Sequence, residues 1–268
     1  MNIQTIDING QKIRVAVRVG AENTTPLLLL NGIGASLELV LPLVMALHHD
    51  LTVIAFDVPG VGGSPTPSCP YNFSRLAKTV TQILDYLDYG QVNVLGLSWG
   101  GFLAQQFAYD HPKRCKKLVL AATSCGFMSA PPSLRVLWLM ASPRRYTDPE
   151  YAASIAPEIY GGKFRHDKEL CALHAKKMTS NKAELNGNTG YSFQMMALYC
   201  WTSLYRLHEI KQPTLLLAGN DDPIIPVSNM KLLANQISNS ELYVFNDGHL
   251  FLLTDLPTVV PILNDFLL

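Results

Sequence analysis

Val92-Asn93-Val94-Leu95-Gly96-Leu97-Ser98-Trp99-Gly100-Gly101 is the stretch that decides how this chain is read. A run of strand character leads into a G-x-S-x-G pentad, and residues 100–110 carry helical periodicity. A serine hydroxyl is a poor nucleophile unless it is held beside a base. A sharp strand-to-helix turn presents it that way but crowds its neighbours. Glycine is therefore needed two residues before and two after, here Gly96 and Gly100, with Gly101 adding room. The helix that follows aims its first amides at the site and favours negative charge on a reacting oxygen. The pentad alone arises by chance; between a strand and a helix it is a specific signal.

Outward from this turn the same alternation repeats. Short apolar runs lie at 27–30, 51–56, 92–97, 118–122, 214–218 and 242–245, and helical periodicity at 36–47, 74–88, 100–110, 228–236 and 258–267. Uninterrupted apolar strands belong to a parallel sheet covered on both faces, and the alternation with helices gives an α/β architecture. At the start, residues 3–8 and 12–18 alternate apolar and polar around Asn9-Gly10, a tight hairpin signal. The expected core is an antiparallel hairpin leading into a mostly parallel sheet flanked by helices, formed by residues 1–125 and 210–268. Residues 126–209 break the rhythm. They hold Pro131-Pro132, Gly161-Gly162 and three helix-like pieces rich in Trp138, Met140, Met178, Met195, Met196, Tyr199 and Trp201. This insertion reads as a helical cap over one end of the sheet, with 181–190 as its most loop-like stretch.

The serine turn predicts its partners in chain order, an acid and then a histidine. Of the seven histidines, only His249 lies just past a core strand and after the other candidates, in Asn246-Asp247-Gly248-His249. Asp221 and Asp222 both follow the run Thr214–Ala218. A carboxylate there can hold the imidazole in one tautomer and stabilise its charged form. Adjacent residues do not both reach one ring. Asp222, three after Gly219 and four before Pro226, is the expected acid, and Asp221 the alternative, otherwise read as a loop cap. Asp247 is a weaker rival, too near His249 in sequence. Acyl transfer also needs donors for an oxyanion: the Trp99 N–H, and the Ile33 N–H from the loop Asn31-Gly32-Ile33-Gly34-Ala35-Ser36. Asp57-Val58-Pro59-Gly60-Val61-Gly62-Gly63-Ser64 lacks the P-loop lysine and dinucleotide spacing, so it reads as a tight turn under the site.

Composition narrows the ligand. The 268 residues carry 21 Lys plus Arg against 21 Asp plus Glu, and 48% are hydrophobic. A neutral chain has no electrostatic footprint for nucleic acid or anionic lipid. Five cysteines without CxxC spacing argue against a disulfide framework or zinc site, so neither metal nor cofactor is expected. No apolar stretch approaches the roughly 20 residues of a membrane span, and Met1–Val15 does not resemble a signal peptide. These features fit a cytoplasmic protein with a neutral, hydrophobic substrate; its oligomeric state is left open.

The motifs NGIGA, DVPGVGGS, GLSWGG, AGNDDPIIP and DGHLF, in this order, resemble the α/β-hydrolase superfamily. More narrowly, NGIGASLELV, VIAFDVPGVGGS, LDYLDYGQVNVLGLSWGG, LWLMASPRRY and IYGGKFR are similar to bacterial intracellular polyhydroxyalkanoate depolymerases. The resemblance implies the α/β-hydrolase fold with Ser98, Asp222 and His249 as triad. It further implies a stored polyester of medium-chain 3-hydroxy acids as substrate, met at a granule surface. Phe102 stands where that family usually has a small residue. Trp138, Met140, Trp201 and Leu250 are candidates to bind such a polymer through apolar contact; packing, within the cap for the first three, is their plainer role. A small-molecule esterase or lactonase with the same triad is the alternative, and a silent binder of hydrophobic ligands a third. Dehalogenase and epoxide-hydrolase chemistry would require aspartate where Ser98 stands.

Overall fold

Asn9 and Gly10 both adopt positive φ, 53° and 84°, as a two-residue hairpin turn demands, and join β1 (Asn2–Ile8) to β2 (Gln11–Arg18). The computed structural model describes residues 1–180 and 189–268; most of the loop-like stretch 181–190 therefore lies outside the described residues. The apolar runs form β3 (Leu27–Leu30), β4 (Val53–Phe56), β5 (Val92–Leu97), β6 (Cys115–Ala121), β7 (Thr214–Gly219) and β8 (Ser240–Phe245). Among the described residues they build one sheet in the order β1-β2-β4-β3-β5-β6-β7-β8. Pairing is antiparallel for β1 with β2 and for β2 with β4, and parallel from β4 onward.

The helices divide between the faces because strand side chains alternate. Leu28 and Leu30 join one core with α2 (Phe73–Tyr86), α3 (Trp99–Asp110) and part of Val227–Gln236. Leu27 and Leu29 join the other with α1 (Leu37–Ala46) and Leu256–Leu267. Between β6 and β7 lie, among the described residues, α4 (Leu134–Ala141), α5 (Pro149–Tyr160), α6 (Lys168–Ser180) and α7 (Thr189–Leu198), where the sequence suggested three pieces. Helix α8 (Val227–Gln236), a single turn α9 (Phe251–Thr254) and α10 (Leu256–Leu267) complete the order. Sequence periodicity missed α9 because one turn is too short to display it.

Two features place the site. The chain leaves β3 for β4 on one side, while β5 enters on the other side of β3. Loops diverging from neighbouring parallel strands open a crevice at their carboxyl ends. The turn after β5 is then pressed into that crevice. A Cβ on Gly100 would lie 2.1 Å from the Leu30 carbonyl oxygen, and one on Gly96 would lie 2.5 Å from the Gly100 oxygen. Beneath, the DVPGVGGS turn wraps the buried Asp57 carboxylate, which accepts from the Leu37 and Gly63 amides at 2.8 and 2.9 Å. Burial pushes that carboxyl up to about 6, against the pull of these donors and of Arg14.

Gly100→Ala should cost about 3 kcal/mol, because a Cβ meeting backbone cannot be relieved by a rotamer change. The melting temperature should fall by roughly 6–12 °C in calorimetry; an unchanged transition would contradict the close approach.

Candidate active site

Ser98 stands between β5 and α3 with φ 52° and ψ −116°. A side-chain-bearing residue holds such a conformation at a cost of order 1–3 kcal/mol, and only when its surroundings fix it. Here the Ser98 N–H donates to Ala121 O at 2.8 Å. Its carbonyl accepts from Thr123 Oγ1 and from the Gly101 N–H, both at 2.9 Å. The hydroxyl is left facing His249, with Oγ 3.0 Å from Nε2. On the other side of the ring, Nδ1 lies 2.7 Å from Asp222 Oδ2. An ionised carboxylate only accepts, so Nδ1 carries the ring proton and Nε2 is free to accept from the serine O–H.

Both partners are buried and anchored. Asp222 Oδ1 accepts from the Ile224 and Ile225 amides at 2.9 and 2.8 Å, which fixes the carboxylate plane. The His249 N–H donates to the Tyr160 carbonyl at 2.7 Å, a bond that crosses from the core to α5. Asp221 turns away: it pairs with Arg165 at 2.5 and 2.8 Å and accepts from the Gly162 N–H. The Arg165 hydrogen bond holds its carboxyl below the usual range. Asp247 is engaged by Lys163 N, Gly248 N and Thr254 Oγ1. The structure thus brings Asp222, not Asp221 or Asp247, to the imidazole.

Gly161 and Gly162 explain how the insertion comes so near. Both have positive φ, and Cβ atoms there would lie 1.9 Å from Asp221 O and 2.0 Å from Asp247 Oδ1. The other side of the site is tied by a residue that the sequence gives no sign of. Gln194 on α7 accepts from the Gly34 N–H through Oε1 at 2.8 Å, and its carbonyl accepts from Trp99 Nε1 at 3.0 Å. Ile33 and Trp99, the two expected amide donors, belong to these two tethered segments, and both residues line a cavity with Ser98.

That cavity has a volume of about 470 Å³ and is walled by apolar side chains including Phe102, Phe127, Leu137, Met140 and Met195. A smaller cavity of about 60 Å³ also reaches Ser98 and is lined by His249, Leu250, Met140, Arg145 and His174. Met140 lines both cavities and Leu250 the smaller one, whereas Trp138 and Trp201 line neither. Helix α4 turns Val136, Leu139 and Met140 inward, so Trp138 faces solvent. Trp201 packs against Phe73 and Phe102 with ring centroids 5.0 and 5.4 Å apart and donates to Gln106 Oε1. Arg145 and His174, only 5% and 8% exposed, were also not legible. A basic residue in a short turn and a histidine in a helix resemble surface positions.

Among the described residues one trio offers metal-ligand atoms, His48, His49 and Asp50. It lies between α1 and the start of β4, at the opposite end of the strands from Ser98.

A family model described as alpha/beta hydrolase fold matches residues 25–256. The chain is 58% identical over 264 residues to a poly(3-hydroxyalkanoate) depolymerase of Ectopseudomonas oleovorans, covering 98% of this chain and 92% of that protein. It is 26% identical to 3-oxoadipate enol-lactonase 2 of Acinetobacter baylyi over 86% of this chain and 84% of that one. Among solved structures, a hydrolase from Pseudomonas aeruginosa superposes with a TM-score of 0.80 at 24% identity, covering 99% of this chain and 98% of that chain. An enol-lactonase from Burkholderia xenovorans superposes with 0.81 at 21% identity, covering 98% and 99%. At those identities the structures speak for the fold alone.

An organophosphorus reagent should label Ser98, and Gln194→Leu should slow that labelling about tenfold, since the loop carrying an oxyanion donor is released. Labelling at the parent rate, with only a lower melting temperature, would make Gln194 a packing residue.

Proposed function

We propose that this chain, which belongs to the α/β-hydrolase fold family, is a serine ester hydrolase that degrades poly(3-hydroxyalkanoate). One observation carries the chemistry: the unbroken contact series Asp222–His249–Ser98, at 2.7 and 3.0 Å, opening onto an apolar cavity. The 58% identity to a named depolymerase over nearly the whole chain supports the substrate class.

In this reading His249 Nε2 takes the proton of Ser98 as its oxygen bonds to the ester carbonyl carbon. The carbonyl oxygen becomes an anion beside the Ile33 and Trp99 amides, each such donor contributing about 3–4 kcal/mol. Collapse breaks the bond to the alcohol oxygen, which receives the proton from His249. Water then gives a proton to His249, attacks the acyl-enzyme, and restores Ser98. Asp222 stabilises the imidazolium at both stages and stays ionised.

The surface around the large cavity supports a water-insoluble substrate. Phe127, Leu134, Trp138, Met196 and Tyr199 are exposed apolar side chains on α4, α7 and their flanking loops. Such a surface suits contact with a polymer particle, so the proposal extends to a cytoplasmic enzyme acting on storage granules. Among the described residues no helix is long and apolar enough to cross a membrane. A small-molecule lactonase is the second reading, motivated by the enol-lactonase similarity, which is much weaker at 26%.

Ser98→Ala should abolish ester turnover with the fold retained by circular dichroism. Asp222→Asn should lower kcat on the order of 10⁴-fold through the wrong imidazole tautomer, whereas Asp221→Asn should cost less than about tenfold and act mainly on stability. Reversed effects would reassign the acid. Granules of medium-side-chain polyester should release hydroxy acids; turnover confined to soluble nitrophenyl esters would favour the second reading.

A further inference from the structure

The two cavities that meet at Ser98 differ in chemistry, and the position of His249 says which end of an ester enters each. The proton on Nε2 must reach the leaving oxygen, so the leaving alcohol occupies the cavity that His249 lines. That is the small one; the large cavity is lined by Ser98 and Trp99 but not by His249. The acyl part belongs in the large cavity.

The small cavity is apolar along Leu39 and Leu250 but has two basic side chains in its wall, Arg145 and His174. His174, on α6, is held edge-on between the Tyr160 and Phe164 rings at 4.8 and 5.3 Å. Its Nε2 is buried and has no hydrogen-bond partner among the described residues. Burial, aided by the charges of Lys177 and Arg145, pushes this imidazole down to about 4, so it is neutral at cytoplasmic pH. A buried polar nitrogen without a partner costs about 1–3 kcal/mol. Kept in the wall of a cavity beside a nucleophile, it calls for a ligand oxygen.

Resting on the polyester reading above, we propose that the small cavity is a subsite for the carboxylate end of the polymer. Arg145 and His174 donate to the terminal carboxylate of the unit whose 3-oxygen is the leaving group, and the chain is shortened from that end. In a 3-hydroxyacyl unit the carboxyl carbon is two bonds from the carbon that bears this oxygen. The carboxylate is thus carried into the same small cavity as the leaving oxygen. The remaining chain lies in the large cavity, where Phe127, Leu137 and Met195 line the wall and are exposed at the surface. Ser98 oxygen bonds to the carbonyl carbon of the penultimate unit, and the bond to the terminal unit's 3-oxygen breaks. That oxygen takes the proton from His249 and one 3-hydroxy acid departs; water then frees the shortened polymer from Ser98.

The test compares a linear tetramer of 3-hydroxyoctanoate having a free carboxylate with its methyl ester. The acid should be cleaved with kcat/KM about tenfold higher, the worth of one charge-assisted hydrogen bond, with monomer as the first product. Arg145→Met and His174→Phe should each bring the acid-to-ester ratio toward one. The comparison and the product order in the unsubstituted protein stand even if a variant does not fold. Equal rates on the two tetramers, or dimers appearing first, would overturn the subsite while leaving the polyester reading intact. Failure on both tetramers alongside turnover of a nitrophenyl ester would overturn the polyester reading and this inference with it.

Discussion

The structure depends on how closely the turn after β5 approaches the end of β3. Gly100 sits against the Leu30 carbonyl with no space for a side chain, and Gly101 sits against Thr123 in the same way. This approach, with the hydrogen bonds to Ala121, Thr123 and Gly101, holds Ser98 at positive φ. It also sets the loop after β3 beside Ser98, since a Cβ on Gly32 would be 3.9 Å from that of Ser98. Ser98 and the loop bearing the Ile33 amide are thus positioned by one packing event at the point where the strand order diverges.

The acid and the histidine arrive by register. Gly219 at the end of β7 pairs with Phe245 at the end of β8. Asp222 is three residues beyond the first and His249 four beyond the second, so the two loops run out together before their side chains meet. Three further bonds, Asn220 N to Phe245 O, Asp221 N to Asp247 O, and Asn220 Nδ2 to Asn246 Oδ1, keep the loops side by side. Adjacent aspartates then face opposite ways. Asp222 folds inward onto the Ile224 and Ile225 amides, and Asp221 points outward to Arg165.

Much of this was legible because it is local. β3 and β5 coincide with the apolar runs at 27–30 and 92–97, and the hairpin turn is written in Asn9-Gly10. The elbow pentad, the candidate acid and the histidine follow from strand ends and chain order. What was hidden lies in the insertion, where a residue's neighbours are far away in sequence. Whether Trp138 faces in or out depends on which side of α4 meets the core, and mean apolarity does not reveal that. Trp201, a candidate for substrate contact with packing as its plainer role, completes an aromatic cluster with Phe73 and Phe102. Phe102, the departure from the resembled family, belongs to that cluster and also lines the large cavity. Gln194 matters through contacts 95 and 160 positions away, and Arg145 and His174 through a cavity they share with Ser98 and His249; no periodicity encodes those.

The insertion cannot be treated as a separable cover, because bonds that arrange the site run through it. The Tyr160 carbonyl holds the His249 amide, Gly162 and Lys163 amides satisfy Asp221 and Asp247, and Gln194 holds Gly34 and Trp99. Its two ends are pinned together where Gly126 bridges Thr202, and Ala130 exchanges hydrogen bonds with Asn229 on α8. At about 1 kcal/mol for each net bond, lifting the whole insertion would cost several kcal/mol. It would also release His249 and the loop bearing Ile33. An ester must therefore reach Ser98 through the cavity that is already open between α4 and α7, with the triad held fixed behind it. The side chains at that entrance, rather than a hinge, then govern what size of acyl group is admitted.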